Sequence, residues 1–364
     1  MDLINDFRDK DKLLALSKLI ISESTRKLRI MEVCGGHTHS IMKFGLQHLV
    51  GEHIEFLHGP GCPVCVMPRA RIDEGLALAQ KEGVIFCTLA DMLRVKGSKY
   101  SLLELRAQGK DIRALYSPLD VLKIAQENPQ KQVIFFAIGF ETTTPMSALL
   151  VEKVLQMGIK NVLFHINHVR VPEPVCALLE DEECKIEALL APSHVSVITG
   201  SEIYEPIARK FGVPIAVSGF EPLDILDSVL NLVRQANNNT ALVYNQYARV
   251  VKKEGNLKAQ GLIARYFQQC DFEWRGLGVI PQSALELKEE FSFLDARKVL
   301  DCKVESIKEN KACLCPQILK GRAKPFDCKL FGKSCTPQNP LGSCMVSSEG
   351  ACAAYYKYEK RRLG

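Results

Sequence analysis

Leu28-Arg29-Ile30-Met31-Glu32-Val33-Cys34-Gly35-Gly36-His37-Thr38-His39 is a short apolar β-type run that ends in a cysteine and two glycines, then opens a helix-like segment. The same rhythm recurs downstream. Runs at His53 to Leu57, Val84 to Leu89, Val133 to Ile138, Val162 to Ile166, Val195 to Ile198 and Pro214 to Val217 have strand character. Helix-like stretches lie between them at Arg71 to Lys81, Leu119 to Glu127, Met146 to Gln156 and Leu223 to Gln235. Strands alternating with helices imply parallel sheets, which carry their sites at the carboxyl ends of the strands. Two turns there are nearly identical: Ile138-Gly139-Phe140-Glu141 and Ser218-Gly219-Phe220-Glu221.

At 364 residues the chain calls for more than one core. The first 25 residues show a helical stripe of Leu13, Leu14, Leu16, Leu19 and Ile20. An α/β domain is expected over 28–120, and a second over 121–240. Gln235 to Thr240 reads as a break, after which the pattern turns helical. It ends in a Cys-, Pro- and Lys-rich tail, so 241–364 is expected to form a third, metal-stapled domain packed with the N-terminal helix.

Composition narrows the function classes. Net charge is +5, from 47 basic and 42 acidic residues mixed along the chain, which offers no concentrated basic face for nucleic acid. The short basic end, Lys357 to Arg362, reads as a solvated helix terminus. The longest strongly apolar run, Val133 to Phe140, is too short to span a bilayer. The first residues lack the apolar core of a secretory signal, so a cytoplasmic location is expected. Thiols stay reduced there, and clustered cysteines read as metal ligands or catalytic groups.

The chain has 14 cysteines, and three groups of them carry chemistry. Cys34 is expected at an exposed strand-to-helix turn, where a helix N-terminus lowers a thiol pKa and favours a thiolate ligand or nucleophile. His37 and His39 stand within reach as acid–base partners. A lone cysteine beside a glycine turn is commonly a small buried hydrophobe, but the Gly-Gly-His-Thr-His context favours chemistry. Cys62-Pro63-Val64-Cys65 follows Gly59-Pro60-Gly61 as a C-x-x-C pair. No second such pair completes a zinc site, so dithiol–disulfide cycling is favoured. In the tail, Cys313, Cys328, Cys335 and Cys352 offer four thiolates for a [4Fe–4S] cluster or zinc. Cys315 and Cys344 remain alternative ligands. The tail lacks the paired knuckles of structural zinc, which favours iron–sulfur.

Glu141 opens a helix start, Thr142-Thr143-Thr144-Pro145, where a carboxylate either moves protons or complements the helix terminus. His165 and His168 read as structural histidines at a strand end. Gly332-Lys333-Ser334 imitates a phosphate loop, but Asp327 stands where that loop needs glycine.

Taken together, Cys34-Gly-Gly-His-Thr38, Gly59-Pro-Gly-Cys-Pro-Val-Cys65, Gly139-Phe-Glu-Thr-Thr143 and Met345-Val-Ser-Ser-Glu-Gly-Ala-Cys352 closely resemble the HypD family of hydrogenase maturation proteins. The resemblance covers nearly the whole chain. It implies two α/β domains plus a [4Fe–4S] domain, with Cys313 rather than Cys315 as first cluster ligand. It also implies assembly of the Fe(CN)2CO group of [NiFe]-hydrogenases with a HypC-type chaperone. HypE would donate cyanide and would itself be supplied by HypF. Cys34 would then share iron with the chaperone's N-terminal cysteine, and Cys62 and Cys65 would be the redox pair. His37 and Glu141 would handle protons at a cleft between the domains. The alternative is a stand-alone iron–sulfur thiol–disulfide oxidoreductase. A third reading is a structural zinc protein.

Overall fold

The computed structural model describes residues 6–300, 302, 304 and 312–359; the basic end beyond 359 and the first five residues lie outside them. Eleven strands occur among the described residues. They are β1 (Leu28–Glu32), β2 (Ile54–His58), β3 (Val84–Leu89), β4 (Ile112–Leu115), β5 (Gln132–Gly139), β6 (Val162–Val169), β7 (Ala188–Pro192), β8 (Ile215–Ser218), β9 (Val243–Asn245), β10 (Phe267–Trp274) and β11 (Gly278–Leu287). They form two sheets, ordered β2-β1-β7-β8-β9 and β10-β11-β6-β5-β3-β4. Every pairing in the first sheet is parallel. In the second, β4, β3, β5 and β6 pair in parallel, and β11 and β10 add an antiparallel edge.

The chain divides into two compact units. The first holds residues up to Cys62, Pro174–Leu257 and those from Ala312 onward; the second holds Pro63–Glu173 and Lys258–Lys311. The contiguous blocks 28–120 and 121–240 are therefore not how the sheets are assembled. Strands β3 and β4 leave the first block to pair with β5 and β6, and β7 and β8 return to pair beside β1.

The tail also belongs to the first unit. Its last helix, Ala351–Tyr358, puts Ala354 and Tyr355 into that unit's core beside Ile41, Met42 and Phe56. The N-terminal helix Lys10–Glu23, capped by Asp9, supplies Ile20 to the same core. The second unit's core gathers Val133, Phe135, Val151, Phe164 and Leu294. Both β5 and β6 are buried almost throughout, as strands covered on both faces must be, which is why they read as unbroken apolar runs.

Two expectations fail, the second in part, for physical reasons. The β-branched run at Val195 to Ile198 lies in the helix Ser193–Thr199, and the strand is the preceding Ala188–Pro192. Burial between neighbouring strands overrides the helix preference of Ala and Leu there. The region after 240 holds the expected helix, Leu257–Tyr266, but it is followed by an unexpected hairpin of β10 and β11. Its strands are half-exposed, and Pro281 within β11 masks the strand signal. No described helix is long and apolar enough to cross a membrane.

Candidate functional site

In the first unit, the carboxyl ends of β1, β2, β7 and β8 deliver Cys34, Gly59 to Cys62, His194 and Ser218 to Phe220. Cys34 caps the helix Gly35–Phe44, and its Sγ accepts from the Gly36 N–H at 3.3 Å. The residue is only 2% exposed, not on the open turn expected from the sequence. Burial pushes the thiol well above its ordinary pKa, and Glu349 and Glu32 push in the same direction. The N–H groups of Gly36 and His37 pull the other way and are outweighed. Cys34 is therefore a protonated thiol at neutral pH. It becomes a thiolate only if a cation supplies the compensating charge.

The turn is tightly enclosed. A Cβ on Gly35 would lie 2.3 Å from the Glu349 backbone oxygen, and one on Gly61 would lie 2.2 Å from the Cys34 nitrogen. The loop after β2 thus rests directly on Cys34, and Gly35 N–H donates to Gly61 O at 3.1 Å. The ring of His194 approaches the thiol, Nδ1 at 3.8 Å and Nε2 at 4.0 Å. Burial lowers the His194 pKa to about 4, so its ring is neutral. His194 stacks on Phe220 at 5.2 Å, and His37 meets the same ring at 4.7 Å.

His37 is buried, and its Nε2–H donates to Gly219 O at 3.0 Å and Ser218 O at 3.2 Å. Burial brings its pKa to about 4, leaving a neutral ring whose Nδ1 has no protein partner among the described residues. Beneath the turn, the Glu32 carboxylate accepts from the Cys34 N–H at 3.1 Å and from the Thr38 hydroxyl. It also faces His58 Nδ1 at 2.7 Å, and His58 Nε2 faces the Tyr355 hydroxyl at 2.9 Å.

Cys62 and Cys65 are 3% and 1% exposed, so both residues of the C-x-x-C pair are buried. The chain passes from the first unit to the second between Cys62 and Pro63.

The tail brings its thiols together. Cys313 Sγ lies 3.3 Å from Cys315 Sγ. Cys352 is raised well above the ordinary thiol pKa, first by its hydrogen bond with Cys315, then by burial and by Cys315, Cys344 and Cys313 as neighbouring charges. Burial also raises Cys335, with Cys313 and Cys315 adding to it, while its Sγ accepts from Leu341 N–H at 3.4 Å. Cys328 is buried at the start of a compact loop leading to Cys335, in which its carbonyl accepts from Phe331 N–H and Leu330 O accepts from Cys335 N–H. Gly342 closes the cradle: a Cβ there would lie 2.6 Å from Cys315 Sγ and 2.7 Å from Cys313 Sγ. Thiols this close cannot all ionise without positive charge between them, so the donor set fits an iron–sulfur cluster. Among the described residues no three His, Cys, Asp or Glu side chains are arranged to hold a single metal ion. A cubane spreads its thiolates over separate irons and does not need that convergence.

Glu141 belongs to the second unit, at the end of β5, whereas Cys34 and His37 belong to the first. Its Oε1 accepts from Val171 N–H at 3.0 Å, and Oε2 has no protein partner among the described residues. Burial pushes this carboxyl up to about 7 against the pull of the Val171 N–H and Arg170. His165, bonded to Glu74 at 3.1 Å, and His168, bonded to Ser147 at 2.8 Å, are buried core histidines.

Sequence reasoning missed His194, Glu32 and Glu349 as neighbours of Cys34, and His58 and Tyr355 as the residues bonded on from Glu32. Only the repeated Gly-Phe-Glu turn carried a signal, through Phe220.

A family model named HypD, described as "Hydrogenase formation hypA family", matches residues 11–359. The chain is similar to the hydrogenase maturation factor HypD of Azotobacter vinelandii, 48% identical over 371 residues, covering 100% of this chain and 98% of that protein. It is 45% identical over 374 residues to the HypD of Rhodobacter capsulatus, covering 98% of each. The HypD of Escherichia coli (strain K12) is 45% identical over 362 residues, covering 99% of this chain and 95% of that protein. With end-to-end matches of this identity, the chain belongs to the HypD family of hydrogenase formation proteins.

Proposed function

We propose that this chain is a hydrogenase maturation scaffold that holds, on Cys34, the iron destined for the Fe(CN)2CO group. A HypC-type chaperone would contribute its N-terminal cysteine to the same iron, and HypE would deliver cyanide made with HypF. The observation that carries this reading is the Cys34 thiol itself, buried, protonated and beside a neutral imidazole. A nucleophilic thiol needs exposure and a lowered pKa, and Cys34 has neither. A metal-ligating thiol needs only a cation to release its proton.

Cys313, Cys328, Cys335 and Cys352 would hold a [4Fe–4S] cluster in the tail, with Cys315 and Cys344 close enough to substitute. When bound, the cluster would supply single electrons. Cys62 and Cys65 would take two electrons as a dithiol–disulfide pair. Their burial supports a partner-gated redox role over a stand-alone oxidoreductase, whose disulfide substrates must reach the sulfurs. His37 would hold the β8 turn against Cys34, and Glu141, with a carboxyl pushed to about 7, is suited to giving and taking a proton. The test is anaerobic co-purification with the HypC-type partner, followed by infrared spectroscopy. Cyanide and carbonyl bands are expected in the complex, and iron-free complex without them would overturn the reading.

A further inference from the structure

Tyr355, His58 and Glu32 form a buried chain of hydrogen bonds whose direction is fixed. A carboxylate only accepts, so His58 Nδ1–H must donate to Glu32 Oε1, at 2.7 Å. The other nitrogen of the neutral ring then accepts from the Tyr355 hydroxyl, at 2.9 Å. At the far end the same carboxylate receives the Cys34 N–H at 3.1 Å and the Thr38 hydroxyl. All five residues are buried, with Glu32 at 1% and His58 at 2% exposure, so no water competes for these bonds. The carboxylate is thus matched by three protein donors, and losing one leaves a buried acceptor short.

The two ends of this chain have different duties. Tyr355 stands one helical turn after Cys352, a proposed cluster ligand, in the helix Ala351–Tyr358. Cys34 and Thr38 form the first turn of the helix Gly35–Phe44. We propose that Glu32 is a positioning residue for Cys34, and that Tyr355 and His58 make the Cys34 turn depend on the docking of the cluster-bearing helix. The chain would thereby hold the iron-binding thiol in place only when the tail is folded against it. This inference rests on Cys34 as the working thiol, but it concerns the protein alone and needs no iron at that site.

The test is the alkylation rate of Cys34 in the full chain, kept anaerobic and reduced, followed by mass spectrometry of the Cys34 peptide. Tyr355→Phe keeps the ring and removes only the donor. It is expected to speed Cys34 alkylation about five-fold, the scale of one lost buried hydrogen bond acting on local opening. Tyr358→Phe is the control, because its hydroxyl meets His39 Nε2 at 3.0 Å on the same helix without joining the chain to Glu32. It is expected to stay within about two-fold of the unaltered protein. An unchanged rate in Tyr355→Phe, or an equal rise in Tyr358→Phe, would overturn the proposal and leave the scaffold reading standing. Loss of infrared bands with the alkylation pattern intact would do the reverse.

Discussion

The His194 ring lies 3.8 Å from the Cys34 thiol although 160 positions separate the two residues. Strands β1 and β7 are parallel neighbours, and this register puts both residues at the carboxyl ends of adjacent strands. The neutral ring, which burial keeps from taking up a proton, is suited to orient the thiol by accepting its S–H hydrogen bond. Replacing His194 with Ala is therefore expected to lower iron retention at Cys34 by about ten-fold, the scale seen when a partner of a metal ligand is lost. Metal analysis of the chaperone complex checks it, and the tail iron should not change.

Glu141 gives a pH signature. Its carboxyl pKa is raised by burial from 4.5 to about 7, so the folded protein binds this proton more tightly than the unfolded chain. The stabilisation is full below pH 4.5 and is lost as pH rises through about 7. Glu141→Gln mimics the protonated form. It is expected to be more stable than the parent at pH 8, by on the order of 2–3 kcal/mol, and equal to it at pH 4. Denaturant titrations at the two pH values measure this. A constant difference would show that the carboxyl is not perturbed.

Strand β5 and the turns around Cys34 and Glu141 were legible because their residues obey local rules: unbroken apolar runs, then glycine or threonine at the helix start. The gathering of tail cysteines was legible from their crowding in the sequence, but the close approach of Cys313 to Cys315 was not. His194 was not, because Val195-Ser196-Val197-Ile198 looks like a strand and moves the expected turn past it. Glu32 and His58 read as ordinary strand residues. Only the parallel pairing of β1 with β2, which sets Glu32 opposite His58, turns them into one network. The interleaving of the two units was equally hidden, since no local pattern says which sheet a strand will join.

The tail thiols offer a test of ligand choice. Cys328→Ala and Cys335→Ala are each expected to lose the brown colour and about four irons, and to loosen the helix Ala351–Tyr358. Cys315→Ala and Cys344→Ala should keep both. Iron content and absorption after anaerobic purification decide between them. Retention of a full cluster in Cys328→Ala, with loss in Cys315→Ala, would bring Cys315, whose Sγ lies 3.3 Å from that of Cys313, into the quartet.

The central claim is that Cys34 carries the maturing iron, and Cys34→Ala tests it most directly. The change removes one small side chain from a turn whose enclosure comes from Gly35, Gly61 and Glu349, so folding should survive. The measurement is the infrared spectrum of the anaerobic complex with the HypC-type chaperone, alongside the absorption of the tail cluster. Loss of the cyanide and carbonyl bands with the cluster absorption unchanged is the expected result. Bands persisting at normal intensity would contradict Cys34 as the iron ligand.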